Sequence, residues 1–188
     1  MWNFVYTWIF CLSFVHAQDQ SVYKVWLESF YPCEDNSNAI ADMSGLKISH
    51  FNRTSFSIDG AAKMFQDLDK EHYMRLVGYV KSSHGKWTKT LLDTKNVLLC
   101  DFIKKDKVFW PGIVKISDLP KECPIKKGEY QMRDAAMTID RLPPMLPLSC
   151  YKLVVSFWSA SEPTVVSCNR FYVRVTDGKV ASADRCFS

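Results

Sequence analysis

Six cysteines behind an apolar leader constrain this chain more than any other feature. Seven cysteines occur in its 188 residues; Cys11 lies in the leader, and Cys33, Cys100, Cys123, Cys150, Cys168 and Cys186 follow it. An even set of thiols downstream of an export signal reads as three disulfides in an oxidising compartment. That usage favours a stapled extracellular module over a redox or metal enzyme. Six thiols allow about fifteen pairings, and the sequence alone does not choose among them.

The leader, Trp2 to Val15, is apolar except for Asn3, Thr7 and Ser13, and closes on Val15-His16-Ala17. Small residues at 15 and 17 fit the signal-peptidase rule. Residues 1–17 are therefore expected to leave as a signal peptide, with 18–188 forming a single secreted domain. The rival readings are an uncleaved anchor and a buried segment, and the lack of Lys or Arg ahead of the apolar run counts against cleavage. The run is shorter than the roughly 20 apolar residues of a membrane span. No second run of that length follows, so no transmembrane segment is expected in the mature chain.

Residues 1–17 carry no charged side chain, so the formal net charge of +4 belongs to the remainder. Lys104, Lys105 and Lys107 form the densest basic group, followed by Lys126 and Lys127. Solvated surface is the plain reading, with weak attraction to anionic headgroups as the alternative. No nucleic-acid motif accompanies the charge, and nucleic acid is not an expected partner. Asn52-Arg53-Thr54 is a sequon, which makes Asn52 a glycosylation candidate on a surface turn.

Period-two alternation dominates the remainder, as strands require. From Val22 to Glu28 apolar residues crowd both parities, as in a strand near a sheet edge or barrel corner. Leu46, Ile48 and His50, then Phe56 and Ile58, flank the sequon. Tyr73, Arg75, Val77, Tyr79 and Lys81 alternate with Met74, Leu76, Gly78 and Val80. Tyr151, Leu153, Val155 and Phe157 share one face, and Phe171, Val173 and Val175 oppose Tyr172, Arg174 and Thr176. Turns are expected at Asp59-Gly60, His84-Gly85, Lys127-Gly128, Glu162-Pro163 and Asp177-Gly178. Strands at this spacing predict an all-β fold, a sandwich of two antiparallel sheets. Thr94 to Lys107 reads either as a short helix or as a strand through Asn96–Phe102 with a charged loop. Arg141 to Leu148, with Pro143, Pro144 and Pro147, reads as a stiff apolar loop.

Cys123-Pro124, then Lys127-Gly128-Glu129-Tyr130, an apolar strand, Leu142-Pro143 and a proline-rich loop follow one another in order. Tyr151-Lys152-Leu153 then opens a strand, and Cys168 falls in the last strand pair. This order resembles the C-terminal half of the ganglioside GM2 activator and its relatives in the MD-2-related lipid-recognition group. Upstream, Phe30, Tyr31 and Cys33, then Gly85-Lys86-Trp87, then Cys100 and Phe102 extend the resemblance. With Asn52-Arg53-Thr54-Ser55-Phe56 leading to Asp59-Gly60, the chain is more similar still to insect secreted relatives of that activator, including the CheA and CheB chemosensory proteins.

The resemblance implies a sandwich or cup whose sheets part at one end around an apolar cavity. It also implies Cys33 with Cys168 and Cys100 with Cys123, leaving Cys150 with Cys186. That last bridge departs from the activator, which has a glycine-containing turn near the position of Cys150. If the sheets open, the expected lining is Phe102, Phe109, Trp110, Tyr130, Met145, Leu146 and one of Phe157 and Trp158, which lie on opposite faces. Ordinary core packing is the alternative for each. Phe109-Trp110-Pro111-Gly112 is expected to lead into a turn, and Met145 and Leu146 to sit in the proline loop. Lys104, Lys105 or Lys126 would meet a polar head at the rim.

Catalytic signals are sparse. His50, His72 and His84 are isolated and read as surface or capping residues, and Glu34-Asp35 reads as a solvated loop. No H-E-x-x-H, paired Cys-x-x-Cys or G-x-S-x-G occurs. No cofactor or metal is expected. The function expected is a secreted, non-enzymatic binder of a hydrophobic small molecule: a lipid, cuticular hydrocarbon or pheromone in insect chemosensation. A sensory-neuron receptor or channel is a further expected partner. The alternatives are a protein-interaction module acting as a receptor co-factor, and a secreted hydrolase.

Overall fold

The computed structural model describes residues 24–34, 40–52, 55–107, 109–136, 147–161, 166–176 and 186. Residues 1–17, Met145, Leu146, Glu162-Pro163 and Asp177-Gly178 lie outside the described residues. Among the described residues, ten strands and two short helices run in the order β1 (Lys24–Pro32), β2 (Ala41–Asp42), β3 (Lys47–Asn52), β4 (Ser55–Met64), β5 (His72–Lys81), β6 (Trp87–Asp93) and β7 (Val97–Leu98). Then come α1 (Leu99–Lys105), α2 (Phe109–Lys115), β8 (Gly128–Ala136), β9 (Ser149–Ser159) and β10 (Val166–Thr176). They build an all-β sandwich of two antiparallel sheets. The larger sheet has the order β1-β10-β9-β5-β6, with β7 also pairing β5. The smaller is centred on β4, which pairs β2, β3 and β8.

Alternation assigns the faces. On β5, His72, Met74, Leu76 and Gly78 are buried, while Tyr73, Arg75, Val77 and Tyr79 lie on the opposite face and are half-buried. Met74 and Leu76 join Ala62 and Met64 of β4 and Leu99 and Ile103 of α1 in one apolar core. This inner side of the large sheet therefore faces the small one. The crowded first strand is an edge strand, and its pairing with β10 shifts between Leu27 and Ser29.

Where the sequence left helix and strand open over Thr94–Lys107, the chain takes both in turn. Val97 and Leu98 pair with Met74 and Tyr73, and α1 follows at once, burying Leu99 and Ile103. A second helix, α2, stands where Phe109-Trp110-Pro111-Gly112 was expected to lead into a turn. Proline is tolerated in a first helical turn because its missing N–H would have no intrahelical partner there. The Trp110 N–H donates to the Asp106 carboxylate, which caps this end. Asp59-Gly60 is likewise no turn. Gly60 lies inside β4 with φ 107°, beside a register shift against β8. Glycine at such a point allows a bulge and close backbone approach.

Polar chemistry occupies the outer face of the large sheet. Tyr73 stacks on Trp158 at 6.0 Å, and the Lys152 ammonium lies 4.7 Å from the Tyr79 ring centre and 5.4 Å from that of Trp87. Burial first, and then the neighbouring Arg170, lower the pKa of Lys152. At the β5–β6 edge Asp93 binds Arg75 through both oxygens, at 3.0 and 2.8 Å, and Lys89 at 2.7 Å. These bonds, the Arg75 pair foremost, hold the Asp93 carboxyl far below its ordinary value of 3.8. A depressed carboxylate stabilises the fold above its unfolded value and loses that contribution as pH falls toward the folded one. Asp93→Asn is therefore expected to melt below the unmodified protein at neutral pH. The gap should narrow steadily in thermal melts run below about pH 4.

Candidate functional site

Strand β9 has neighbours on both sides, so in a tightly closed sandwich its inward residues would be the driest in the fold. They are not uniformly so. Tyr151 and Ser159, at the two ends, are buried, but Leu153, Val155 and Phe157 between them are only half-buried. The adjoining strand repeats the pattern. Ser167, Asn169 and Val175 of β10 are buried, while Phe171 and Val173 are half-buried. Phe30 of β1 stacks on Phe171 at 6.1 Å and is also half-buried. The middle of the inner wall is thus an apolar patch whose side chains are not fully buried. Beside it Ser167 Oγ donates across the sandwich to the Ala41 carbonyl at 2.9 Å.

The expected lining residues divide between inner and outer positions. Phe157 points inward and packs on the core, together with Phe102 of α1, Trp110 of α2 and Tyr130 of β8. Each of these four is half-buried. Trp110 is oriented by its indole N–H, which donates to the Lys121 carbonyl at 3.1 Å, and Tyr130 by its hydroxyl, which donates to the Lys126 carbonyl at 2.7 Å. Phe109, at the start of α2, is half-buried. Trp158 lies on the other face, stacked on Tyr73, and does not line the space between the sheets.

The basic residues expected at the rim are exposed. Lys104 and Lys105 occupy the last turn of α1, where cations suit the helix dipole, and Lys105 lies 3.8 Å from Asp101. Lys126 pairs with Asp67 at 2.9 Å, and the Lys127 N–H donates to the same carboxylate at 2.8 Å. Those bonds lower the pKa of Asp67, the backbone bond most. Asn52 ends β3 one step before the connection at 53–54, which lies outside the described residues.

Cysteines are brought together in three pairs: Cys33 with Cys168, Cys100 with Cys123, and Cys150 with Cys186. These are the pairs implied by the resemblance. The first staples β1 to β10 beside the bond from the Cys33 N–H to the Cys168 carbonyl, 3.0 Å. The second ties α1 to the segment before β8. The third holds Cys186 against the outer face, where its N–H donates to Glu28 Oε2 at 2.6 Å and its carbonyl accepts from Lys81 Nζ at 2.8 Å.

Of the histidines, His72 is not a surface residue: it is buried on the inner face of β5. Its Nδ1 lies 3.0 Å from Asp69 Oδ1 and its Nε2 3.0 Å from the Gln66 amide nitrogen. Across the ladder Ser159 engages Ser161, Oγ to Oγ, at 2.8 Å. An Asp–His pair is therefore present, but Gln66 occupies the nitrogen that would activate a serine. His84 is exposed in the β5–β6 turn, and the side chain of His50 lies outside the described residues. No group of three metal-ligating side chains occurs among the described residues. Nor is any helix among them long and apolar enough to cross a membrane.

Sequence reasoning missed Phe30, Leu153, Val155, Phe171 and Val173 as a connected wall, although the parity of each strand had placed most of them on one face. No curated protein matches the chain. Residues 74–153 match a family described as a protein of unknown function (DUF1091). That stretch runs from β5 through both helices and β8 into β9, so it contains the Cys100–Cys123 bridge and parts of both sheets.

Proposed function

We propose that the protein is a secreted, non-enzymatic carrier that holds a hydrophobic small molecule between its two sheets. The observation that carries this reading is the half-burial of Leu153, Val155 and Phe157 at the centre of an interior strand. Apolar groups left partly open inside a sandwich gain free energy by covering a ligand, at about 25 cal/mol per Å² of apolar surface removed from water. A preformed apolar recess with few polar groups is the usual form of a small-molecule site. Three disulfides suit an oxidising compartment. The family match over residues 74–153 is consistent in broad terms with the lipid-recognition resemblance. On that resemblance the cargo is a lipid, cuticular hydrocarbon or pheromone handled in insect chemosensation. Cleavage after Ala17 and glycan attachment at Asn52 belong to the same reading.

The test is saturable uptake of a fluorescent fatty-acyl probe by the secreted, delipidated protein. Val155→Asp places a charged carboxylate on the apolar wall and is expected to weaken uptake roughly tenfold or more. Its circular dichroism should match that of the unmodified protein. Absence of saturable uptake, or equal uptake by a folded Val155→Asp variant, would overturn the carrier reading.

A further inference from the structure

One polar side chain of the inner wall, unlike Ser167 two residues before it, has a donor without a partner. Asn169 lies on β10 on the same face as Ser167 and Phe171, directly across the ladder from Val155. It is only 3 % exposed. Its amide nitrogen, Nδ2, is buried with no hydrogen-bond partner. Buried donors are almost always paired, so an orphaned one calls for a specific explanation. Its inward neighbours along and across the strands include Val155, Phe171, Leu153 and Phe157, none of which carries an acceptor in its side chain. The hydroxyl two residues before it on the same face, Ser167 Oγ, donates to the Ala41 carbonyl.

We infer that Asn169 is the polar anchor of the carrier site. Its amide donates a hydrogen bond to a carbonyl or ester oxygen set within an otherwise apolar chain. The cargo class is therefore an oxygenated long-chain compound, a ketone or ester, and not a plain hydrocarbon. The geometry is economical. Directly paired residues on neighbouring strands stand about 5 Å apart, so a chain lying on half-buried Val155 and Phe171 passes within reach of the amide. Such a bond forms out of water, where the competing solvent is absent and an unmade bond is costly. This inference rests on the carrier reading and narrows it.

The experiment compares a long-chain alkene with a methyl ketone of equal chain length, each titrated into the secreted protein and into Asn169→Leu. The unmodified protein is expected to bind the ketone roughly three- to tenfold more tightly than the alkene. In Asn169→Leu that preference should vanish while alkene binding persists. A second readout needs no variant: the infrared carbonyl stretch of the bound, isotope-labelled ketone should shift to lower frequency than in hexane. Equal affinity for both probes in the unmodified protein, or an unshifted carbonyl, overturns the role of Asn169 and leaves the carrier reading standing. Failure of both probes to bind saturably overturns the two together.

Discussion

Replacing Gly60 by alanine is expected to prevent β3 and β4 from assembling as they do here, at a cost of about 3 kcal/mol or more. Two physical effects act at once. The residue has φ 107°, a conformation that L side chains rarely adopt. A Cβ built there would also stand 2.2 Å from the Gly45 carbonyl oxygen and 3.2 Å from its carbon. Those atoms are backbone and cannot rotate aside. The approach is tight from the other side too, since a Cβ on Gly45 would lie 2.8 Å from the Ala61 carbonyl oxygen. Gly85 supplies the control. It too has positive φ, at 77°, but nothing lies within 4 Å of its Cβ position. Gly85→Ala should therefore cost only the backbone strain, about 1 kcal/mol. Urea unfolding of both variants checks the pair, and a Gly60→Ala midpoint equal to that of Gly85→Ala would refute the crowding argument.

Removal of the Cys33–Cys168 bridge should have the next largest effect. Its partners are 135 residues apart, against 23 for Cys100–Cys123 and 36 for Cys150–Cys186. In the chain-entropy account a longer closed loop restricts the unfolded state more. Cys33→Ser with Cys168→Ser is expected to lose about 4 kcal/mol, or on the order of 10 °C in Tm. The equivalent Cys100–Cys123 double variant should lose about 1.5 kcal/mol less. Scanning calorimetry of the two double variants decides the order. A reversed order would mean that native-state contacts of α1, which the second bridge holds to the segment before β8, outweigh loop length.

Much of the sandwich was legible because alternation is a local signal. Met74, Leu76 and Gly78 were separable from Tyr73, Arg75 and Val77 by parity, and β5 keeps that separation. The connection at His84-Gly85 was legible for the same reason, since positive φ at Gly85 suits a glycine turn. Helix α2 was not legible. A seven-residue segment containing Pro111 and Gly112 has little helical preference of its own. It is set by the Asp106 cap and by Trp110 and Ile113 packing on the core. Gly60 misled because aspartate followed by glycine reads as a turn wherever chain direction is unknown. Its role depends on Gly45, which approaches only once β4 has paired.

The candidate site was legible as a face but not in its degree of burial. Parity put Leu153, Val155 and Phe157 together, whereas their half-burial depends on what packs over them from distant parts of the chain, which no short stretch encodes. Asn169 was within reach of the same parity: stepping back two residues at a time from Phe171 meets a polar side chain on an apolar face. Only the packed structure reveals that its amide nitrogen has no partner.

Because successive residues of a strand serve opposite sides of a sheet, β9 is two independent texts written in alternate letters. Its odd positions from 151 to 159 face the interior, and its even positions from 150 to 158 serve the ring-and-cation exterior and the Cys150 staple. Substitutions at odd positions can therefore remodel the interior without disturbing what the even ones maintain. Among related chains, substitutions along this strand should fall in a comb, with every second tooth missing.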